Sequence, residues 1–237
     1  MSHLLRDCTR AATSLLALMI IRMALVTFCL PIFCGLIRAE PLVPERKVET
    51  NSVVSTRDPN IRIDVPTTAR YVGADRWVLY GVADCEVHVF IQADEKKTVQ
   101  SLYWIQFEGY LPEKPNQRYD YTKDREMVID GLEFRVKARF GPTSEKPEGD
   151  SDLAHVLKLI VGGGYKLSAD MMNVRLVHLP DSSRRKELMI IYAEDMASTG
   201  YSSTDLMAGE KVRPEWAGIE SALIERAKKR IRFHQQK

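Results

Sequence analysis

The alternation of apolar and polar residues is sharpest between Cys85 and Ala93. There Cys85, Val87, Val89, Ile91 and Ala93 fall on one side, and Glu86, His88, Phe90 and Gln92 on the other. A period of two is the mark of a β-strand. Val99–Leu111 follows, rich in the aromatic and β-branched residues that suit a pleated sheet. The charged stretch Asp94–Thr98 between them predicts a hairpin turn. Ile61, Ile63 and Val65, set against Arg62 and Asp64, predict a short strand stopped by Pro66, and Arg76–Val82 reads as another. Gly131–Phe140 turns Leu132, Phe134, Val136, Ala138 and Phe140 inward and Glu133, Arg135, Lys137 and Arg139 outward. Asn173–Leu179 and Leu188–Glu194 predict a second hairpin around Pro180–Lys186; its return strand is apolar on both faces, which places it centrally.

Helical spacing appears twice. Leu153, Val156, Leu157 and Ile160 follow the cap-forming pair Ser151 and Asp152, and Gly162–Gly164 stops the run. Pro214 opens a final helix whose Trp216, Ile219, Leu223, Ala227 and Ile231 share one stripe. This order predicts an α+β domain: a curved, mostly antiparallel sheet of about six strands, with one mid-chain helix and a long C-terminal helix packed on one face. The layout resembles helix-grip folds, in which a terminal helix closes a concave sheet over a cavity. That resemblance rests on layout alone, so it carries no residue roles.

The ends of the chain read differently. A basic start precedes the uncharged apolar run Met23–Ile37, which is loosened by Pro31 and Gly35 and ends near the small residue Ala39. That is the pattern of a cleavable signal peptide, residues 1–39, which would make the protein secreted or periplasmic. The rival is an uncleaved anchor over Leu15–Ile37, the one circumstance in which a membrane enters. It would bury Arg22, at about 2.5–3.5 kcal/mol near the middle of a spanning helix. Residues 40–60 are polar and proline-punctuated and read as a flexible arm. Residues 61–237 then form a single domain.

Composition adds constraints. Hydrophobic content of 45% and charged content of 28% are those of a globular protein, which excludes fibrous and disordered classes. Lys and Arg number 34 against 32 Asp and Glu; Arg6, Arg10, Arg22 and Arg38 lie in the first segment against Asp7 alone. The remainder is close to neutral, so no nucleic-acid partner is expected. Cys8, Cys29 and Cys34 also fall in the first segment, leaving Cys85 without an internal disulfide partner. It reads as a small buried hydrophobe, with an interchain disulfide or a nucleophile as alternatives.

The candidate chemistry lies in the first hairpin. A turn centred near Lys96 sets Glu86 opposite Gln106, His88 opposite Trp104 and Phe90 opposite Leu102. One face then gathers Glu86, His88, Trp104, Gln106, Glu108 and Tyr110. An imidazole among carboxylates and aromatics suits a ligand pocket, an acid–base site or half of a metal site, and equally the plain solvent face of a sheet. No cofactor motif is present and no metal set is predicted. Ser183–Lys186 matches S-x-x-K but falls in a turn, and Gly162–Gly164 lacks the Lys-Ser/Thr of a phosphate loop. His155, off its helix's apolar stripe, is expected to be solvated. His178, alternating with Val174 and Leu176, is expected to be a hydrogen-bonded core residue. Arg226, Lys228, Lys229, Arg230 and Arg232 complement the negative end of the last helix. The sequence therefore points to an exported, non-enzymatic binding or assembly domain for a protein or small-molecule ligand. The alternative is a hydrolase- or isomerase-like enzyme using His88 with Glu86 or Glu108.

Overall fold

Cross-strand pairing arranges the chain in three sheets, seen in a computed structural model that describes residues 42–143, 147 and 149–236. The segment read as a signal peptide lies outside these residues. In chain order the elements are β1 (Lys47–Glu49), β2 (Ser52–Ser55), β3 (Ile61–Asp64), β4 (Arg70–Leu79), β5 (Ala83–Ala93), β6 (Thr98–Tyr110), β7 (Arg125–Ile129) and β8 (Leu132–Pro142). There follow α1 (Asp152–Gly162), β9 (Lys166–Leu167), β10 (Asp170–His178), β11 (Lys186–Asp195), β12 (Met207–Ala208), β13 (Lys211–Val212), α2 (Glu215–Arg230) and β14 (Arg232–Gln235).

The large sheet has the order β4-β5-β6-β11-β10-β8-β7, every pair antiparallel, and β9 adds in parallel to the start of β6. The small sheet has the order β1-β2-β3-β14, and β12 pairs with β13. The α+β class is as expected, but the strands are more numerous than the six read from the sequence. As expected, β11 is central, between β6 and β10.

Each face of the large sheet carries its own apolar cluster, and α1 covers the second over β4 and β5. One face presents Phe90, Tyr103, Ile105, Phe134 and Leu176 to the small sheet (Val53, Ile61, Ile63) and to Leu223 and Ala227 of α2. The other presents Val87, Val89, Leu102 and Trp104 to Val156 and Ile160 of α1. The two helices therefore pack on opposite faces, correcting the expectation that they share one. The reason lies in β5 and β6, where both sides of the pleat are buried and each side requires its own cover.

The described part of residues 40–60 differs from the flexible-arm reading. Within this stretch β1 and β2 are ordered strands; Val53 and Ser55 are fully buried. Their alternation is hidden because each strand is so short and Thr50, with φ of 55°, turns the chain between them. The last helix ends one residue early. Ile231 is buried but extended, and the chain runs on into β14 beside β3. Ile224, absent from the predicted stripe, is buried, whereas Ile219 is only half-buried. In α1, Leu153 is exposed and Val156 and Ile160 make the packing face.

Gly73 fixes where α1 sits. It adopts φ of 142° at an irregularity in β4, and a β-carbon there would lie 3.1 Å from Leu159 Cδ2 of α1. A side chain at this position would strain the backbone at that φ and press the Leu159 side chain aside by a few tenths of an ångström. No helix among the described residues is long and apolar enough to cross a membrane.

Candidate functional site

The hairpin register decides the site. The turn is centred on Lys96, since Ala93 pairs with Val99. One strand position later the register slips, and Gln92 pairs with Ser101, leaving Gln100 as an extra residue. From there Glu86 faces Phe107, His88 faces Ile105, and Val89 faces Trp104. A one-residue slip moves a strand's whole side-chain set to the other face. The six predicted residues are therefore divided: Glu86 and His88 lie on the α2 face, and Trp104, Gln106, Glu108 and Tyr110 on the α1 face. Of the acid–base alternatives, His88 meets Glu86, whereas Glu108 lies on the opposite face.

Glu86 and His88 are each 1% exposed and form a latch for the N-terminal strands. His88 Nε2 lies 2.8 Å from Glu86 Oε1. The same carboxylate accepts from the backbone N–H groups of Glu45 and Arg46, both at 2.8 Å, and from Arg46 Nη1 at 3.0 Å. Burial opposes its charge, but these donors and the guanidinium hold the acid down at about 2. Arg46 also stacks 4.3 Å from the ring centroid of Phe107.

On the α1 face the remaining four join a polar chain. Trp104 Nε1 donates to Gln106 Oε1 at 2.8 Å, and Gln106 Nε2 donates to Glu108 Oε2 at 3.0 Å. Tyr119 donates its hydroxyl to Glu108 Oε1 at 2.7 Å and stacks on Tyr110 with centroids 4.4 Å apart. Next to this chain lies Glu187, 3% exposed, which accepts from the Tyr121 hydroxyl at 2.7 Å. Burial and the charge of Glu108 push Glu187 up to about 8. Asp152, at the start of α1, is raised to about 6 by burial and by Glu108, and its Oδ1 is buried without a partner.

Cys85 Sγ and oxygens of Glu108 and Asp152 lie within 4.8 Å of one another. Burial, then the charges of Glu108 and Asp152, push the thiol strongly up. A cation here would have to displace the thiol proton, so the trio stands as an acid cluster rather than a ready metal centre.

Beside this cluster the α1 face opens into a groove of about 370 Å³. Its floor is Leu102, Trp104, Met171, Met189, Ile191 and Ala193. Because α1 packs over β4 and β5, its Asp152 and Leu153 form one wall. Lys137 and Arg139 of β8 form the other, three strands across from β6. The predicted set contributes Trp104 to this floor. The sequence reading missed Lys137 and Arg139 as site residues, although it placed them on the outward side of their strand. With no anchor for the register between β6, β11, β10 and β8, that row had no defined neighbours.

The remaining candidates resolve individually. His155 is not solvated: it stacks on Trp77 with centroids 3.9 Å apart and planes within 9°, with Asp75 Oδ2 3.0 Å from Nδ1 and Asp150 Oδ1 2.9 Å from Nε2. The helical stripe misses this because the partner ring belongs to β4. His178 is half-buried, with Nδ1 2.9 Å from the Glu133 carbonyl oxygen. Arg226 pairs with Glu194, Lys228 with Glu225 and Arg232 with Asp130, while Arg230 donates toward Gln92 and Ser101. No known protein family matches the chain, and neither a curated protein nor a solved structure is similar to it.

Proposed function

We propose that the domain from Glu40 onward is an exported, non-enzymatic binding module that takes a small-molecule ligand in the groove above Trp104 and Ile191. The observation carrying this reading is the groove itself. Its volume of about 370 Å³ lies in the range of ligand clefts, about 300–1,000 Å³. Its floor is apolar and a few polar groups converge on it, the composition such clefts have. The acid–base groups of the enzymatic alternative, His88 with Glu86 or Glu108, are occupied structurally. Glu86 and His88 hold the N-terminal strands, and Glu108 is held by Tyr119 and Gln106. Export rests on the signal-like segment before Glu40, and intact-mass measurement on protein from its native host should find a chain starting near that residue.

The binding reading is tested with N-phenyl-1-naphthylamine, an uncharged apolar fluorophore. Titration should give saturable, one-to-one enhancement in the native protein. Leu153→Trp, which narrows the groove from an exposed position, should weaken it about tenfold. Enhancement that never saturates, or that ignores the Leu153 variant, would count against the groove as a binding site.

A further inference from the structure

The registers of four strands lay two rows of side chains across the groove. One row runs Leu102, Ala193, Asn173, Arg139, and the next runs Trp104, Ile191, Arg175, Lys137. Each begins apolar on β6 and β11, turns polar or charged on β10, and ends cationic on β8. With neighbouring strands about 4.8 Å apart, each row spans about 14 Å. Polarity thus changes once, in one direction, along the length of the floor.

Among the described residues the cationic end is only partly balanced. Lys137 and Arg175 stand directly opposite each other, an arrangement that costs stability between like charges. Arg175 is compensated by Asp124, at 2.7 Å from Nη2, and by the Tyr121 ring at 4.8 Å. Lys137 and Arg139 make no ion pair among the described residues, and both are exposed on the groove wall. Asn173, directly opposite Arg139, has no side-chain hydrogen bond among the described residues. Among the described residues lining the groove, the carboxylate is Asp152, on the opposite wall, on α1.

Resting on the binding-module reading, we infer that the groove takes a single-chain amphipathic anion. Its apolar chain lies along Trp104, Ile191, Leu102 and Ala193, and its anionic head sits between Lys137 and Arg139, within reach of the Asn173 amide. An anion there relieves the opposition of Lys137 and Arg175, and the distant Asp152 leaves the head at the β8 end. An uncharged or cationic amphiphile of the same length gains the floor but not the head contacts.

The test measures displacement of N-phenyl-1-naphthylamine by decanoate, decanol and decyltrimethylammonium at pH 8 and low salt. Decanoate should compete at least tenfold better than the cation and several-fold better than the alcohol, and added salt should weaken it, as screening requires. The double variant Lys137→Glu/Arg139→Glu alters two exposed positions and should keep its fold. It should reverse the order of decanoate and decyltrimethylammonium, whereas Lys229→Glu, on an exposed face of α2, should leave it unchanged. Equal competition by all three ligands, unmoved by the double variant, overturns the anion inference and leaves the groove as a binding site. Failure of every ligand, the neutral fluorophore included, removes the binding reading and the inference with it.

Discussion

Glu108 on β6 and Glu187 on β11 stand directly opposite each other on the α1 face of the large sheet. Two carboxyl groups in such a pair repel when both are ionised, at cross-strand separations of about 5 Å. The fold accommodates them by giving each a tyrosine hydroxyl and by keeping a proton on Glu187.

That proton makes stability depend on pH in a definite direction. Glu187 is raised in the folded state from 4.5 to about 8. Its contribution is therefore complete below about pH 4.5 and is lost as pH rises to about 8, because the unfolded chain ionises first. Glu187→Gln removes this loss. Denaturation curves should show the variant gaining on the wild type near pH 8 and not near pH 4; parallel pH profiles would contradict the account.

The Glu86 latch should prove costly to open. Glu86→Ala leaves His88 buried and two backbone N–H groups and a guanidinium without their acceptor. A loss of about 3–5 kcal/mol is expected, as for breaking other buried pairs. Hydrogen exchange should accelerate first in Lys47–Glu49 and Ser52–Ser55, the strands the latch holds. A uniform change across the domain would show that Glu86 serves the core rather than those strands.

Cys85 should be inert toward thiol reagents in the native protein. It is fully buried, and its surroundings hold the thiol protonated, while attack requires the thiolate. Labelling should be slow until denaturant is added, and fast native labelling would reopen the nucleophile reading.

Long elements with strong periodicity were legible in the sequence; pairing partners were not. β5, β6, β8, β10, β11 and α2 stand near their expected places because each carries its own alternation or stripe. β7 escaped notice, although Asp130-Gly131 between Ile129 and Leu132 is a tight-turn signal, with both residues at positive φ. β1, β2 and β14 are three or four residues long, and their order comes from neighbours distant in sequence. The site was lost at one residue. The turn of the first hairpin was placed correctly, but the bulge at Gln100 has no local signature, and it alone sends Glu86 and His88 to the other face. The cationic wall was visible as alternation in β8, yet its position opposite Arg175 and Asn173 is a product of long-range register.

The central claim, that the α1 face binds a ligand over Trp104 and Ile191, is tested most directly by mapping amide chemical shifts during titration with N-phenyl-1-naphthylamine. The account predicts saturable shifts concentrated at Leu102, Trp104, Met171, Met189, Ile191 and Ala193, with Val53, Ile63 and Leu223 on the opposite face unmoved. Shifts centred instead on Phe140, Met207 and Trp216, which line a separate apolar groove, or no saturable shifts at all, would contradict it.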